Sequence, residues 1–446
     1  MARMNVAEIK AAVVAEIDRR GDEAVKLAKE ILANPEGGFR EHKTSRRVAE
    51  KFRELGIPFQ DGIAITGLKG MLNAESSGPT VGVMGELDSL YVLGHPHADP
   101  TTSAAHACGH HAQIGSMVAA GIGLKAAGVL ESLSGRVALM AAPAEEYVEI
   151  EYRNELRKKG KVEFLGGKPE FIRTGALDDV DIAMMTHTEP PLHGEGKKLA
   201  IGATNTGMVA KFVQFQGKAA HAGGHPHLGI NALNAANIAL MAIHAQRETF
   251  RDEDTVRVHP IITRGGASVN SVPADVRMET FVRAKTIDAY LAANRKIDRA
   301  LRAGAMAVGG SVTITTLPGY IPLNQDRNLQ GIYEANAVNL VGSEGVAHMG
   351  HRTGSTDMGD VCQIMPAIHP YVIAATGVGH GNDYLVADYE LGVKTAGKAM
   401  ALTVVDLLAD GARKAKEVKK SFKAPMTKAE YLAFMRSLVR EETFTE

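Results

Sequence analysis

Apolar residues recur at helical spacing near the N-terminus, at Val6, Ile9, Val13, Ile17, Ala24, Leu27, Ala28 and Ile31. This spacing predicts two helices within the first 55 residues. Short β-rich runs follow at 80–84, 136–141 and 181–185, with a helical stretch at 114–124 between the first two. Because apolar strands alternate with helices, the sequence predicts an α/β domain with a parallel-rich sheet flanked by helices.

The pattern changes at about Thr206. From there an alternating strand is followed by a helix, two strands, a second helix and a last strand, which is the split ferredoxin-like order. We therefore predict an inserted α+β ferredoxin-like domain at 206–320. The remaining segments, 1–205 and 321–446, are predicted to form one discontinuous domain, with a charged helical tail after Gly411.

Composition narrows the classes of partner and compartment. The 446 residues include 50 Lys and Arg against 51 Asp and Glu, so the net charge of −1 offers nucleic acid or anionic membrane no general attraction. Two cysteines cannot build a disulfide framework and indicate a reducing compartment. No stretch approaches the ~18 to 20 apolar residues that span a bilayer. We predict a cytoplasmic protein that binds a small molecule.

All three predicted strands end in polar residues that can bind ligands. The first runs into Glu86 and Asp88, the second into Glu145 and Glu146, and the third into His187. Because ligands bind beyond the carboxyl ends of parallel strands, these groups are expected to converge on one edge. Adjacent carboxylates repel each other, which fits a site where one binds a metal and the other carries a proton. A solvated acidic turn is the alternative.

The segment HACGHH supplies softer donors at the start of a helix. Cys108 and His110 stand two residues apart and can share one metal ion. The alternative is a small buried cysteine beside surface histidines. With His187, Glu146 and His380 in the GHG segment, the chain holds enough donors for one or two transition metals.

These residues and several longer motifs resemble one family over nearly the whole chain. The motifs are GELDSL, HACGHH, PAEE, the MTH strand end, GKAAHAGGHPHLGINAL, GGASVNSVPAD, GSTDMGDV and GHGND. The chain resembles the metal-dependent amidohydrolases related to aminoacylase and glutamate carboxypeptidase, and most of all their aminobenzoyl-glutamate hydrolase branch. The resemblance implies five metal ligands, which are Cys108, His110, Glu146, His187 and His380.

The same resemblance implies roles for further residues. Glu145 is similar to the general acid/base, and Asp88 to the carboxylate that orients a ligand. The inserted domain at 206–320 corresponds to the lid of this family. His221 resembles the lid histidine that reaches an active site, often that of the partner subunit, and Asn270 resembles a lid residue that contacts substrate. The implied cofactor is one or two Mn, Zn or Co ions per subunit, and the implied assembly is a homodimer or higher oligomer through the lid.

The implied reaction is hydrolysis of a C–N bond by water that the metal activates, on an N-acyl or N-aroyl amino acid amide. His111 stands where relatives have Asp or Asn, so it either meets an unusual substrate group or fills space. Arg352 either pairs with a substrate carboxylate or lies on the surface. Two alternatives stay open, namely hydrolytic deamination of an activated aromatic amine, as in 5-nitroanthranilic acid aminohydrolase, and a non-catalytic relative that only binds metal or ligand.

Overall fold

The computed structural model describes residues 4–191 and 194–445. The helices in these ranges are α1 (Val6–Leu32), α2 (His42–Glu54), α3 (His110–Leu124), α4 (Val129–Ser132), α5 (Ile150–Lys158), α6 (Gly167–Thr174), α7 (Ala232–Ala245), α8 (Ile287–Met306), α9 (Arg327–Val341), α10 (Met358–Ile364), α11 (Ala396–Ser421) and α12 (Lys428–Ser437). No helix in the described ranges is long and apolar enough to cross a membrane.

Many of the strands are only two or three residues long. They are β1 (Phe59–Ile63), β2 (Gly67–Leu72), β3 (Thr80–Glu86), β4 (Leu90–Tyr91), β5 (Ala104–Ala105), β6 (Arg136–Ala142), β7 (Ile182–Met184), β8 (His187–Thr188), β9 (Leu199–Ile201), β10 (Thr204–Asn205), β11 (Gly207–Gln216), β12 (Arg257–Val258), β13 (Ile261–Arg264), β14 (Asp275–Ala284), β15 (Ser311–Pro318), β16 (Val346–His348), β17 (His351–Arg352), β18 (Ala367–Ile368), β19 (Tyr371–Val372), β20 (Ala375–Thr376), β21 (Leu385–Val386) and β22 (Arg440–Phe444).

The first large sheet has the order β1-β2-β6-β3-β7-β18. Strands β6, β3, β7 and β18 run parallel, and β2 and β1 extend the sheet antiparallel at one side. Every residue of β3 is buried, as expected for a strand covered on both faces. The sheet confirms the predicted α/β class, and the three predicted strands are β3, β6 and β7.

The N-terminal prediction was right in its pattern and wrong in how it divides the chain. The two apolar runs lie on one continuous helix, α1, and the second helix of the first 55 residues is α2. Both runs keep the same buried face, and Gly21 between them is helical and packs against the stem of Lys394. Because nothing breaks the period, a single helix buries the whole stripe.

Helix α3 is the central helix of the larger core. All of its residues are buried, and it packs with α1 and α11 on one face of the first sheet. Small residues allow α3 and α11 to approach each other closely, because a Cβ at Gly397 of α11 would lie only 2.7 Å from the Cβ of Ala119 on α3. A tightly packed helix of this kind fixes the position of its first turn, where the predicted metal ligands lie.

The second large sheet has the order β12-β14-β11-β15-β22, with β13 also paired to β14. All the pairings within it are antiparallel, and helices α7 and α8 cover one face. Its elements from β11 to β15 match the predicted ferredoxin-like order except that the second predicted strand is divided into β12 and β13, which both pair with β14. The tail differs from its prediction, because it ends in strand β22 at the edge of this sheet, alongside β15. The domain boundaries at 205/206 and 320/321 remain a prediction.

Helix α12 ties the tail to a second core cluster, which packs against the first sheet together with α6 and α10. One hydrogen bond there is open to test. The hydroxyl of Tyr431 donates to Oδ1 of Asp360 at 2.8 Å, and both side chains are fully buried. We expect Tyr431→Phe to lower the free energy of unfolding by about 1–3 kcal/mol, because the buried Asp360 carboxyl would lose the hydroxyl among its hydrogen-bond donors. Urea denaturation measures the change.

The control is Tyr152→Phe, at a tyrosine that is only partly buried. Equal stability of the two variants would show that the Tyr431 hydroxyl contributes nothing to folding.

Candidate metal centre

The first turn of α3 carries two of the predicted ligands in a backbone that requires glycine. Gly109 caps the helix with φ of 85°, in the left-handed region. A Cβ there would lie 1.9 Å from Oγ1 of Thr188. Glycine thus allows the chain to turn sharply between Cys108 and His110 and to press against the strand that carries His187.

His110 is held by carboxylates on both sides of its ring. Its Nδ1–H donates to the backbone oxygen of Asp88 at 3.0 Å, and Oδ1 of Asp88 lies 3.2 Å away. Its Nε2 lies 3.0 Å from Oε2 of Glu86 and 3.8 Å from Oε2 of Glu145. Since Nδ1 carries a proton for the carbonyl, Nε2 is the atom left to bind a metal.

Cys108, His110 and His187 form a first group of donors. Each offers one ligand atom, and these atoms lie within 4.8 Å of one another. The Sγ of Cys108 lies 3.1 Å from Nε2 of His187, and Nδ1–H of His187 donates to the Thr188 backbone oxygen at 2.7 Å. The backbone bond orients this imidazole as well, with Nε2 turned towards the thiol.

Cys108, Glu146 and His380 form a second group with the same spacing of ligand atoms. Nε2 of His380 lies 3.4 Å from Oε1 of Glu146, and the backbone N–H of Glu146 donates to Oδ2 of Asp88 at 2.8 Å. Because both groups contain Cys108, one thiolate can serve two ions. The structure therefore brings the five predicted ligands together, with Asp88 behind two of them.

Strained backbone accompanies the second group. Ala144, just before the two glutamates, has φ of 53°, and His380 has φ of 64°. Residues other than glycine adopt this region at a cost and cluster at functional sites. On the Glu146 side, the buried Arg153 donates through its Nη1 to the Ala144 backbone oxygen at 3.1 Å and through its Nη2 to the Glu146 backbone oxygen.

A fully buried ammonium, unforeseen from the sequence, lies behind the site. Lys168 bonds through Nζ to the carboxylates of Glu86 and Asp357, and all three side chains are buried. Burial opposes a charge on Glu86, but Lys168, followed by His110 and His187, lowers its pKa to about 2. Glu86 is thus an anion beside His110, and it also forms a third group of donors with His110 and Glu145.

In the protein alone, the surroundings of Cys108 and Glu145 favour the neutral forms of both groups. Burial first, and the Glu146 carboxylate next, raise the pKa of the Cys108 thiol well above its usual value. Burial, then Glu86 and Glu146, raise the pKa of Glu145 in the same direction. Among the described residues, Nε2 of His110 and Oε1 of Glu146 make no hydrogen bond, although Glu86 and His380 lie 3.0 and 3.4 Å from them. Buried donors in this state fit a divalent cation, which takes up deprotonated ligands.

A cavity of about 440 Å³ opens on these donors. Cys108, both glutamates, His187 and His380 line it, together with Met208, Phe281 and Arg283 of the second large sheet. Arg283, on β14, is largely buried there and lies over the Phe281 ring with Cζ 5.0 Å from the centroid. Burial lowers the pKa of Arg283 although Glu146 and Glu145 oppose the shift.

Sequence reasoning missed Arg283 and His369, which also lines the cavity. The ring of His369 lies 5.7 Å from that of His187, and neither of its nitrogens has a hydrogen-bond partner among the described residues. Arg283 stands on a regular strand and His369 in a short apolar run, so no local motif distinguished either one. Only the folded chain places them at the cavity.

Three predicted site residues lie away from the cavity in this chain. His111 is buried inside the protein, where its Nε2 lies 3.1 Å from the Tyr389 hydroxyl and its ring 5.3 Å from that of His106. Helix α3 turns it away from the ligands, so the structure supports the space-filling alternative. His221 and Asn270 are exposed on neighbouring loops of the second sheet. Arg352 does line the cavity, but its guanidinium already binds the Glu189 carboxylate.

Comparison with known proteins identifies the class to which this site belongs. Residues 204–307 match the peptidase dimerisation domain of M20 proteins. The mouse Xaa-Arg dipeptidase (Mus musculus) is 28% identical over 442 residues, covering 93% of this chain and 92% of its own. One of the polypeptides of p-aminobenzoyl-glutamate hydrolase from Escherichia coli K12 is 27% identical over 58% of this chain and 50% of its own.

A solved structure shows the same fold. The dinuclear metal-binding M20 peptidase from Bacillus subtilis superposes with a TM-score of 0.61 at 19% identity, covering 88% of this chain and 99% of that one. Together the matches show that the chain is similar to M20 hydrolases over most of its length. It is an enzyme of the amidohydrolase and peptidase class, which confirms the predicted resemblance.

The shared thiol gives a direct test of the metal centre. We expect Cys108→Ala to weaken binding of Mn²⁺, Zn²⁺ or Co²⁺ by more than about 100-fold, because loss of a ligand exceeds the 10- to 100-fold effect of losing an outer partner. Metal content after dialysis, measured by mass spectrometry, gives the result.

Cys362→Ala is the matched control, since Cys362 is buried in the core beside β18 and bonds weakly to the Ala367 backbone oxygen. Unchanged metal content in Cys108→Ala would remove the thiol from the ligand set.

Proposed function

We propose that this enzyme hydrolyses the amide bond of an N-acyl or N-aroyl amino acid, dipeptides included, with a divalent metal centre as cofactor. The observation that carries the proposal is the pair of three-donor groups that share Cys108, with the carboxyl of Glu145 beside them. Amide hydrolysis needs an activated water molecule and a group that moves its proton.

The chain's own residues divide the work around that centre. A divalent cation held by the five ligands supplies Lewis acidity and lowers the pKa of water from 15.7 towards about 7. Glu145 accepts the proton of the attacking water on its carboxylate and returns it to the departing amide nitrogen. Asp88 keeps His110 oriented through Nδ1 and fixes the Glu146 backbone N–H.

Arg283 is suited to the carboxylate of an amino acid product. Its guanidinium lines the cavity near Glu145 and Glu146, and within the described ranges it makes no ion pair. A planar guanidinium presents paired N–H donors that match a carboxylate. Phe281, Tyr147 and Tyr320 supply aromatic surface on the same side of the cavity, suited to an acyl or aroyl group.

Amide cleavage is favoured over deamination of an aromatic amine. The similar proteins described above are named as a dipeptidase and an aminobenzoyl-glutamate hydrolase, and both names describe cleavage of an amide. The deamination alternative depended partly on an unusual imidazole at His111, which the structure turns away from the cavity. A non-catalytic relative is disfavoured because Glu145 and all five donors are retained.

The enzyme is proposed to act as a homodimer through its second sheet. The match to a peptidase dimerisation domain covers most of that region. Strand β13 is an exposed edge with Ile261 and Ile262 uncovered, and Met241 is 65% exposed on α7. Exposed apolar residues along an open strand edge fit a partner strand and helix. His221, exposed on a loop of the same region, then faces the partner's cavity.

Removing the proton carrier separates chemistry from binding. We expect Glu145→Gln to lower kcat by about 10²- to 10⁴-fold or more, because the side-chain amide of glutamine cannot accept the proton of the attacking water. Hydrolysis of N-benzoyl amino acids by the Mn²⁺-, Zn²⁺- or Co²⁺-loaded protein measures the loss.

The metal content of the Glu145→Gln preparation should stay at the wild-type value. The control is Glu163→Gln, which changes a surface ion pair with Arg436. Retained turnover in Glu145→Gln would eliminate its acid/base role, and no turnover in the wild type would eliminate the proposed reaction.

Mixed dimers test whether His221 acts across the subunits. Glu145→Gln and His221→Ala homodimers are both expected to be impaired. After subunit exchange, a mixed dimer holds one site with wild-type Glu145 and the partner's wild-type His221, so activity should recover.

Sedimentation of each sample verifies the dimer before the assay. Activity that stays at the level of the separate homodimers would show that His221 does not complete a partner's site.

A further inference from the structure

Two guanidinium groups face the cavity, and they differ in charge balance. Arg283 makes no ion pair within the described ranges, whereas Nη1 of Arg352 donates to the carboxylate of Glu189. Glu189 is 3% exposed and lines the cavity beside Arg352. The cavity thus presents one uncompensated positive group and one pair whose charges cancel.

The Glu189–Arg352 pair is held firmly in the cavity wall. Cζ of Arg352 lies 4.8 Å from the centroid of the Tyr371 ring, so the ring covers one face of the guanidinium. Nδ2 of Asn205 donates to the Tyr371 hydroxyl at 3.4 Å, and the backbone of Asn205 pairs with Arg352 between β10 and β17. If Arg352 turned to another anion, the buried Glu189 would lose its guanidinium partner, which is costly.

We propose that the Glu189–Arg352 pair is a specificity element that disfavours substrates with a second carboxylate. This inference rests on the proposed function and narrows its substrate class to amino acid amides with a single carboxylate, bound at Arg283. A second carboxylate at this wall meets a guanidinium that is already neutralised and is repelled by Glu189. Repulsive elements of this kind set specificity by excluding the wrong partner.

The test uses substrate pairs that differ only in one charge. N-benzoylglutamine and N-benzoylglutamate place the charge in the amino acid, and N-(4-carbamoylbenzoyl)glycine and N-(4-carboxybenzoyl)glycine place it in the acyl group. We expect the metal-loaded wild type to favour the neutral member by about tenfold or more in kcat/KM in at least one pair, a ratio typical of one unfavourable polar contact. Equal rates in both pairs would overturn the proposal.

Glu189→Gln keeps the size of the side chain and removes its charge. In the discriminating pair, we expect this variant to lower the preference for the neutral member by about tenfold, because Arg352 becomes free to bind the second carboxylate. Glu163→Gln breaks an ion pair with Arg436 outside the cavity and should leave the ratio unchanged. The proposal would be overturned if Glu189→Gln and Glu163→Gln changed the preference for the neutral member equally, or if neither variant changed it.

Arg352→Gln gives the opposite prediction and serves if Glu189→Gln fails to fold. It removes the guanidinium that balances the Glu189 charge, so the preference for the neutral member should widen several-fold. A narrower preference in Arg352→Gln would mean that Arg352 attracts the second carboxylate, which contradicts the proposal.

Binding without turnover separates this inference from the proposed reaction. Calorimetry on the metal-free protein measures the affinity of the same four compounds when no hydrolysis occurs. A charge preference in binding with no hydrolysis by the metal-loaded protein would overturn the proposed reaction alone. Equal binding of the neutral and charged members, or binding of none, would overturn the specificity proposal.

Discussion

The burial of three carboxylates and a thiol around one histidine is the constraint on which the site depends. Glu86, Glu145 and Glu146 all lie within or behind the groups that include Cys108 and His110. So many acids cannot all ionise in a buried place without positive charge nearby. The buried ammonium of Lys168 balances the negative charge of Glu86. A divalent cation would balance the charge of the other ionised ligands.

The fold imposes this crowding by bringing loops to one edge of a parallel sheet. Strands β3 and β6 end next to each other, and the chain after β7 delivers His187 to the same edge. A left-handed glycine before α3 and strained residues at Ala144 and His380 then aim the ligands inward. Hydrogen bonds hold both strained residues, since the Ala144 N–H donates to Oε1 of Glu41 at 2.7 Å and the His380 N–H donates to the Ala107 backbone oxygen at 2.9 Å.

The second sheet supplies Arg283 to the cavity and none of the predicted metal ligands. Arg283 lies on β14, so this sheet meets the loops at the edge of the first sheet around one cavity. His221, in contrast, is exposed and apart from the cavity of its own chain. In the proposed dimer, a site that took Arg283 from its own chain and His221 from a neighbour would link substrate binding to assembly. The matched dimerisation domain gives this link a structural basis.

The sequence by itself determined the periodic elements and the identity of the donors, because both are local. Apolar spacing indicated β3, β6, β7 and the order of the inserted region, and Cys108 stood beside His110 in one turn. The tertiary structure alone decided which way His111 faces, that Lys168 pairs with both Glu86 and Asp357, and that Arg352 is already paired. Those facts depend on contacts between residues far apart in the chain, and no local period encodes such contacts.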